Sequence, residues 1–373
     1  MIESHRIRAI LFLVVAAVGA TIAALEFRRM HELEKIVPGP GVTTVGRLSD
    51  YLPNLRDTNG DTPVFFLEGS EEGETVLVLG GTHANEPAGF VAAVVLIENV
   101  TVSRGRLIVI PQANRSGFTC TDPLEGYPQR FSISTGSGER WFRFGSRGAN
   151  PLDHWPDPLV YLHQPSGQRL SGVETRNLNR SYPGRPDGSF TERIGYAIMQ
   201  LIEQENVRVA FDFHEASPEI PIVNALVTHE KGKDIAAAAI LNLELENLEF
   251  ALEFSPPNFR GLSHREWGDR TDVYPFLMES SNPIQGRLRG PTSAELLLGG
   301  VDLRYRRAKE VGKIRITYHS DGEPLDRRVG RHLQSLRAVL DAYAEEFPER
   351  SILLGNLPNH DEIVAQGVGV FLK

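Results

Sequence analysis

A chain of 373 residues with 41% hydrophobic and 23% charged residues can bury a sizeable core, which excludes wholesale disorder. Its formal net charge of -9 argues against a body built to neutralise nucleic-acid phosphates, and no nucleic-acid partner is expected. The single cysteine, Cys120, excludes an intramolecular disulfide and a Cys-rich zinc site, so any metal must be held by histidines and carboxylates.

At the start of the chain, Arg6 and Arg8 precede an apolar run from Ala9 to Leu25, which is followed by Glu26, Arg28 and Arg29. The run falls within the roughly 17 to 25 residues that span a bilayer. It is apolar around its whole circumference, unlike a core helix with one buried face. Residues 1–31 are therefore read as a signal anchor that ties the chain to a membrane. Val18-Gly19-Ala20 loosely imitates a cleavage site, but the run continues past it, which favours an uncleaved anchor. Basic residues at both ends fix the orientation only weakly, and the body is expected outside the cytoplasm, in a periplasmic setting. His5 and His31 flank this segment and read as surface residues.

Residues 32–59, with Pro38-Gly39-Pro40-Gly41, are expected to form a polar linker, and residues 60–373 one catalytic domain. The domain opens with two short β-rich runs, Pro63 to Leu67 and Thr75 to Leu79. The second ends in Gly80-Gly81-Thr82 and leads through Pro87 into an apolar stretch, Phe90 to Ile97, suited to a helix. Leu107 to Ile110 then supplies a further strand, and this βαβ order predicts a parallel pair with a right-handed crossover. Residues 114–175 have little periodicity and are expected to be a long loop insertion that shapes the pocket. A helix from Thr191 to Glu205, a strand from Val209 to Phe213 and an apolar run from Ile220 to Val227 follow. Asp234 to Leu252 reads as helical and Tyr274 to Met278 as a strand. Val329, Leu333, Leu336, Val339, Leu340 and Tyr343 recur at helical spacing and mark a core-facing helix. The fold class is therefore α/β.

His83 and Glu86 lie two residues apart on the glycine turn after an apolar strand, a spacing that lets both side chains converge on one ion. His-x-x-Glu alone is common by chance. His214, at the end of the strand Val209 to Phe213, can reach the same sheet edge, where α/β folds place their ligands. Three protein ligands leave a fourth position for water on a single Zn2+ per chain. His154, His163 and His264 lie in irregular stretches as potential substrate contacts, and His229 lacks comparable context.

Further segments run in order with this one: Pro111-Gln112-Ala113-Asn114, Arg176-Asn177-Leu178-Asn179-Arg180 with Tyr182-Pro183-Gly184, and Asp212-Phe213-His214. Together with Gly81-Thr82-His83-Ala84-Asn85-Glu86, they resemble the succinylglutamate desuccinylase/aspartoacylase family of the zinc carboxypeptidase-like superfamily. The resemblance spans about Val76 to Gly300. It implies a mixed, mostly parallel sheet flanked by helices, and a zinc-dependent hydrolase that cleaves an amide bond. It also implies that Asn179 and Arg180, with Arg176 beside them, bind a substrate carboxylate, and that Glu279 is the catalytic glutamate. A guanidinium can grip a carboxylate by two parallel hydrogen bonds, as that role requires.

Glu215 and Glu295 are the rivals of Glu279, although alternation along the strand points Glu215 away from the face His214 uses. Asp212, on the same face as His214, is placed to orient that ligand. Arg287 and Arg289, with Gln285, either meet an anionic substrate or solvate a loop. Arg130, Arg140, Arg143 and Arg147 are all candidates to polarise the scissile carbonyl, and spacing does not choose among them. Two substrate classes compete, an N-acyl amino acid and the end of a peptide; a membrane-tethered carboxypeptidase acting on cell-wall or other peptides is the second reading. A non-catalytic binding protein that retains the fold is the third.

Overall fold

The computed structural model describes residues 2–29, 32, 34–121 and 127–373. His31 and residues 122–126 of the long segment lie outside the described residues. The chain divides into two compact units, Met1–Lys35 and Ile36–Lys373. The first is a single helix, α1 (Ile2–Arg29), whose segment Ser4–Arg29 is long and apolar enough to cross a membrane and buries nothing within the structure.

The second unit is built on β1 (Val42–Arg47), β2 (Pro63–Glu68), β3 (Glu71–Leu79), α2 (Pro87–Asn99) and β4 (Thr101–Ile110). Two hairpins follow, β5 (Arg130–Thr135) with β6 (Gly138–Arg143), and β7 (Val160–His163) with β8 (Gln168–Ser171). Next come α3 (Phe190–Gln204), β9 (Val207–Ala216), β10 (Ala225–Thr228), α4 (Lys233–Leu245), β11 (Ala251–Phe254), α5 (Ser263–Arg270) and β12 (Tyr274–Ser281). The chain closes with α6 (Ala294–Gly299), α7 (Leu303–Glu310), α8 (Leu325–Glu346), β13 (Leu353–Gly355) and α9 (His360–Gln366).

The main sheet runs β1-β2-β4-β3-β9-β12-β10-β11, with β13 also paired to β4. Pairs β3–β4, β3–β9, β9–β12 and β10–β11 are parallel, whereas β1–β2, β2–β4, β10–β12 and β4–β13 are antiparallel. It is thus a mixed sheet with helices on both faces. Alternation along β3 shows why: Val76 and Val78 face the core formed with α2, α4 and α8, whereas Leu77 and Leu79 face the core formed with α3. The β3–α2–β4 crossover lies to one side of β3 and β9 to the other, so the strand order reverses at the carboxyl end of β3. A crevice opens there.

Three expectations need correction. The proposed linker, residues 32–59, contributes β1 to the sheet, since the β-branched run Val42-Thr43-Thr44-Val45 pairs with β2 despite lacking a clean apolar alternation. The helix expected to reach Leu252 ends at Leu245, because Asn247 takes a left-handed backbone (φ 61°) and Leu248 N–H closes back on Leu243 O at 2.9 Å. The segment 114–175 is not one structureless loop: its first hairpin stacks Phe131 on Phe142, 5.7 Å between ring centroids, against Phe90 of α2.

Helix α8 buries the expected apolar stripe, but it also carries a fully buried arginine. Arg328 Nη1 lies 2.7 Å from Glu215 Oε1 and 3.2 Å from Asn282 Oδ1, and Nη2 donates to Leu297 O. Removing one member of such a pair strands the other charge in the interior. Arg328→Met is expected to lower stability by roughly 3–5 kcal/mol, and adding Glu215→Gln should restore much of that loss. Urea unfolding midpoints measure both, and equal midpoints for wild type and Arg328→Met would mean that the pair contributes nothing to folding.

Candidate metal centre

The turn after β3 requires glycine. Gly81 has φ +63°, and a Cβ there would meet the Phe118 ring at 2.8 Å and Pro111 O at 2.9 Å. The turn delivers His83 and then Glu86, which occupies the position just before α2, ahead of Pro87, with its side chain turned away from the helix end. His214 sits in β9 next to β3, and His83, Glu86 and His214 bring three buried ligand atoms within 4.8 Å of one another. Both imidazoles present Nδ1 to the Glu86 carboxylate: His83 at 2.7 Å from Oε1, His214 at 2.9 Å from Oε2.

The backing of these ligands decides what they can hold. Asn177 Nδ2 donates to Glu174 Oε2 at 2.8 Å and its Oδ1 accepts from Asn179 N–H, which pins the amide with Oδ1 toward His83 Nε2 at 2.9 Å. His83 Nε2 must therefore carry the proton, leaving a lone pair on Nδ1. Burial, with Arg147 nearby, pushes the His83 pKa down to about 4, so the ring is neutral. A lone pair facing a carboxylate oxygen at 2.7 Å calls for positive charge beside it; Arg147 Nη1, 3.4 Å from His83 Nδ1 and 3.2 Å from Glu86 Oε1, supplies some from the edge, and an ion among the three ligand atoms would supply it from the middle. That geometry fits a metal ion, and two imidazoles with one carboxylate are a zinc donor set.

His214 is backed by a carboxylate. Its Nε2 lies 2.9 Å from Asp212 Oδ2, though off the hydrogen-bond direction, while Asp212 accepts from Thr82 Oγ1 at 2.7 Å and Ser263 Oγ at 2.6 Å. Burial opposes charge on His214, but Asp212 and Glu86 outweigh it and hold its pKa well above the usual value. Burial likewise works against the Glu86 carboxylate, and the two histidines overcome it. A carboxylate behind the imidazole is the kind of backing that would orient His214 as a metal ligand.

Glu279 stands in register with His214 on the neighbouring parallel strand β12, so both side chains leave the same face of the sheet. The residue is partly exposed, yet its Oε2 is buried with no hydrogen-bond partner. Burial, with Glu86 and Asp212 adding and His214 and Arg147 opposing, raises its pKa to about 8. Glu215 points to the opposite face, where Ala88 N–H donates to its Oε2 at 2.8 Å and Arg328 holds its Oε1. Glu295 lies in the first turn of α6, capped by Ser293.

The structure also sorts the arginines. Arg147 lies at the edge of the triad, its Nη1 3.2 Å from Glu86 Oε1, because the 145–146 backbone is hydrogen-bonded to Ala84 on the metal turn. Arg140 instead pairs with Glu98 at 2.8 Å, Arg143 is bound by the carbonyls of Phe118 and Gln129, and Arg130 belongs to the β5–β6 hairpin. Arg180 lies over the Phe259 ring at 4.7 Å, with its Nε 3.7 Å from Glu174. Burial and Arg147 lower its pKa to about 10, whereas Glu174, Glu279 and Glu86 act in the other direction. Asn179 Oδ1 accepts from Ser263 N–H at 2.8 Å.

Arg176 is a correction. Asp157 grips its Nε at 3.0 and 3.1 Å and Ala149 O accepts from its Nη1, so its guanidinium is engaged in fastening the loop. The other histidines are engaged elsewhere: His154 with Thr175, His163 with Tyr182 O and Ser166, His229 with Asp269, and His264 with Ser255. Two contributors take roles that the sequence did not assign them. Asn177 backs His83, and its only signal was its place inside the Arg176–Arg180 segment. Gln285 Nε2 braces the metal turn through Asn85 O at 3.1 Å.

Replacing either backing group should weaken the centre without unfolding the chain. Asp212→Asn and Asn177→Ala are each expected to lower zinc affinity roughly 10- to 100-fold, read by competition with a chromogenic chelator. Arg140→Ala serves as the control; wild-type affinity in both site variants would remove Asp212 and Asn177 from this role.

No family profile matches the sequence. In sequence the chain is similar to the N-alpha-acetyl-L-2,4-diaminobutyric acid deacetylase of Halomonas elongata, 26% identical over 161 residues. That match covers 42% of this chain and 33% of the deacetylase, so the chain spans about a third of its curated relative. Among solved structures, a succinylglutamate desuccinylase from Silicibacter is similar at 18% identity and a TM-score of 0.41, over 80% of this chain and 63% of that one. The tripeptide-bound cell shape determinant Csd4 of Helicobacter pylori is similar at 14% identity and a TM-score of 0.46, over 81% and 59%. A metallo-carboxypeptidase from Burkholderia cenocepacia is similar at 11% and 0.47, over 82% and 66%. The family that the motifs resemble is thus represented among the proteins to which this chain is similar, alongside carboxypeptidase-like structures.

Proposed function

We propose that this chain is a zinc-dependent hydrolase of an amide bond in a substrate that bears a free carboxylate, with the metal on His83, Glu86 and His214. The observation that carries the reading is the convergence of three buried ligand atoms on one point beside Glu279, whose buried Oε2 has no partner. When bound, the zinc supplies Lewis acidity that polarises a carbonyl and lowers the pKa of water to about 7.

The chain's own residues do the rest. Glu279 takes a proton from the attacking water at Oε2 and hands it to the departing amine nitrogen as the C–N bond breaks, so the acid product keeps the water's oxygen. Arg147 is placed to donate to the carbonyl oxygen as negative charge develops there. Arg180, held over Phe259 and only loosely approached by Glu174, offers a guanidinium to the substrate carboxylate, with Asn179 beside it. Asp212 and Asn177 keep the imidazoles turned toward the metal.

Helix α1, long and apolar enough to cross a membrane, supports reading the chain as an anchor and a catalytic body; that the body lies outside the cytoplasm is part of the proposal. That setting favours the ends of peptides over N-acyl amino acids as substrates. Complete ligands and Glu279 count against a binding protein that has lost catalysis.

Glu279→Gln is expected to keep its zinc, by metal analysis, and to lose roughly 10²- to 10⁴-fold in kcat. Full turnover in that variant would remove Glu279 from the proton transfer, and a wild-type protein that takes up no zinc would end the enzyme reading. A reporter fused to the C-terminus should be active only when exported; cytoplasmic activity would reverse the proposed topology.

A further inference from the structure

Helix α7 and the residues that follow it reverse the sign of the chain. Between Leu303 and Arg315 stand Arg304, Arg306, Arg307, Lys309, Lys313 and Arg315 against one carboxylate, Glu310, in a chain of net charge -9. Helical spacing separates the two faces of α7. Tyr305 and Ala308 turn inward and pack with Ile314 and Tyr318 in a small core of their own, the two tyrosine rings 5.7 Å apart. Lys313 N–H closes back on Ala308 O at 2.8 Å, which holds the segment after the helix against it. Leu303, Arg304, Arg307 and Val311 therefore turn outward, and Leu303 is 73% exposed.

Most of this charge is not neutralised at close range. Among the six cations, Arg307 alone forms an ion pair, with Glu310 at 2.7 Å, and both partners are well exposed, where such a pair is weak. Arg306 donates to Ser320 O, Lys309 to Ile316 O and Arg315 O at 2.6 and 3.2 Å, and Arg304 to Arg289 O at 3.5 Å. Carbonyls position these cations and leave their charge in place. Two carboxylates close in sequence are committed elsewhere. Asp302 is buried and accepts from the Arg304 and Tyr305 N–H groups at 2.8 Å each, and Asp321 pairs with Arg327 at 2.7 Å. The outer face thus joins fixed positive charge to exposed aliphatic side chains.

We infer that this face docks on an anionic phospholipid surface, with Arg304, Lys313 and Arg315 meeting headgroup phosphates and Leu303 entering the interface. The chemistry chooses the partner. A hydrated polyanion would satisfy the cations and gain nothing from Leu303, whereas the boundary between headgroups and acyl chains takes both. Helix α1 is the second support, because a segment able to cross a membrane brings a bilayer to the same chain. The inference rests on the proposed anchor for that proximity, and it is independent of the hydrolase reading.

The test uses the full chain with Cys120→Ser and Leu303→Cys, labelled at position 303 with an environment-sensitive fluorophore. The protein is placed in nanodiscs of phosphatidylcholine alone, or of phosphatidylcholine and phosphatidylglycerol in equal parts, with acyl chains brominated so that they quench a probe that reaches them. Helix α1 is common to both preparations, so the difference between them reads the α7 face. Quenching is expected in the anionic discs, weakly in the neutral ones, and less as salt screens the attraction. Arg304→Gln and Lys313→Gln should each lower the docked-to-undocked ratio roughly fivefold. Equal quenching in the two discs, no quenching in either, or no effect of the two substitutions would overturn the proposal. Binding of soluble polyglutamate or DNA through these residues without quenching would give the face to a polyanion and likewise end the lipid reading. Retention of the chain by neutral discs reads the anchor separately. If the chain is not retained, the anchor falls, and flotation with anionic but not neutral vesicles then decides the face alone. Unchanged urea midpoints exclude misfolding in the substituted chains.

Discussion

Burying the Glu86 carboxylate at the head of α2 demands donors or positive charge from several separate parts of the chain, and the fold is arranged to bring them. His214 and the Glu215 backbone N–H come from β9, and Arg147 from the segment zipped to Ala84. An isolated buried carboxylate would cost several kcal/mol. Each of these contacts therefore ties the position of one element to the others. The pinned Asn177 amide makes the constraint sharper, because it fixes the His83 proton on Nε2 and turns the lone pair of Nδ1 toward Glu86.

Strand β9 carries this constraint to the far side of the sheet. Asp212 and His214 leave one face and meet the crevice, whereas Glu215 leaves the other and meets the start of α2 and Arg328 on α8. Glu215 thereby couples three elements: its N–H holds Glu86, its Oε2 receives Ala88 N–H, and its Oε1 holds Arg328. A buried ion pair is a weak source of net stability compared with apolar packing. Its value here is positional, because a shift of α8 relative to β9 would be felt at Glu86 through a single residue.

Where physics is local, the sequence was readable. The alternating apolar runs of β3, β4 and β9, the glycine turn after β3 and the stripe on α8 each state their structure in a few consecutive residues. His83, Glu86, His214 and Glu279 could be named because each follows or ends such a run. What could not be read depends on distant partners. Nothing in Val42-Thr43-Thr44-Val45 says that β2 will accept it as an edge strand, and the end of α4 turned on a left-handed Asn247 inside an apparently helical stretch. Among the arginines, Arg176 and Arg147 look alike in sequence; Asp157 claims one, and the backbone pairing of 145–146 with Ala84 places the other beside Glu86. Asn177 and Arg328 escaped for the same reason: their roles are defined by His83 and Glu215, 94 and 113 residues away.

Strands and loops divide the labour in this crevice. His214 and Glu279, the proposed metal ligand and proposed proton-transfer carboxylate, sit within β9 and β12, where register on both sides fixes them. The cationic side chains Arg147, Arg180, Arg287 and Arg289 all sit on connecting segments. Rigid elements hold reacting groups in place better than loops do, and loops tolerate change better than strands. A substitution in a connecting segment therefore changes the rim of the crevice without moving Glu279, whereas a substitution in β12 shifts Glu279 itself.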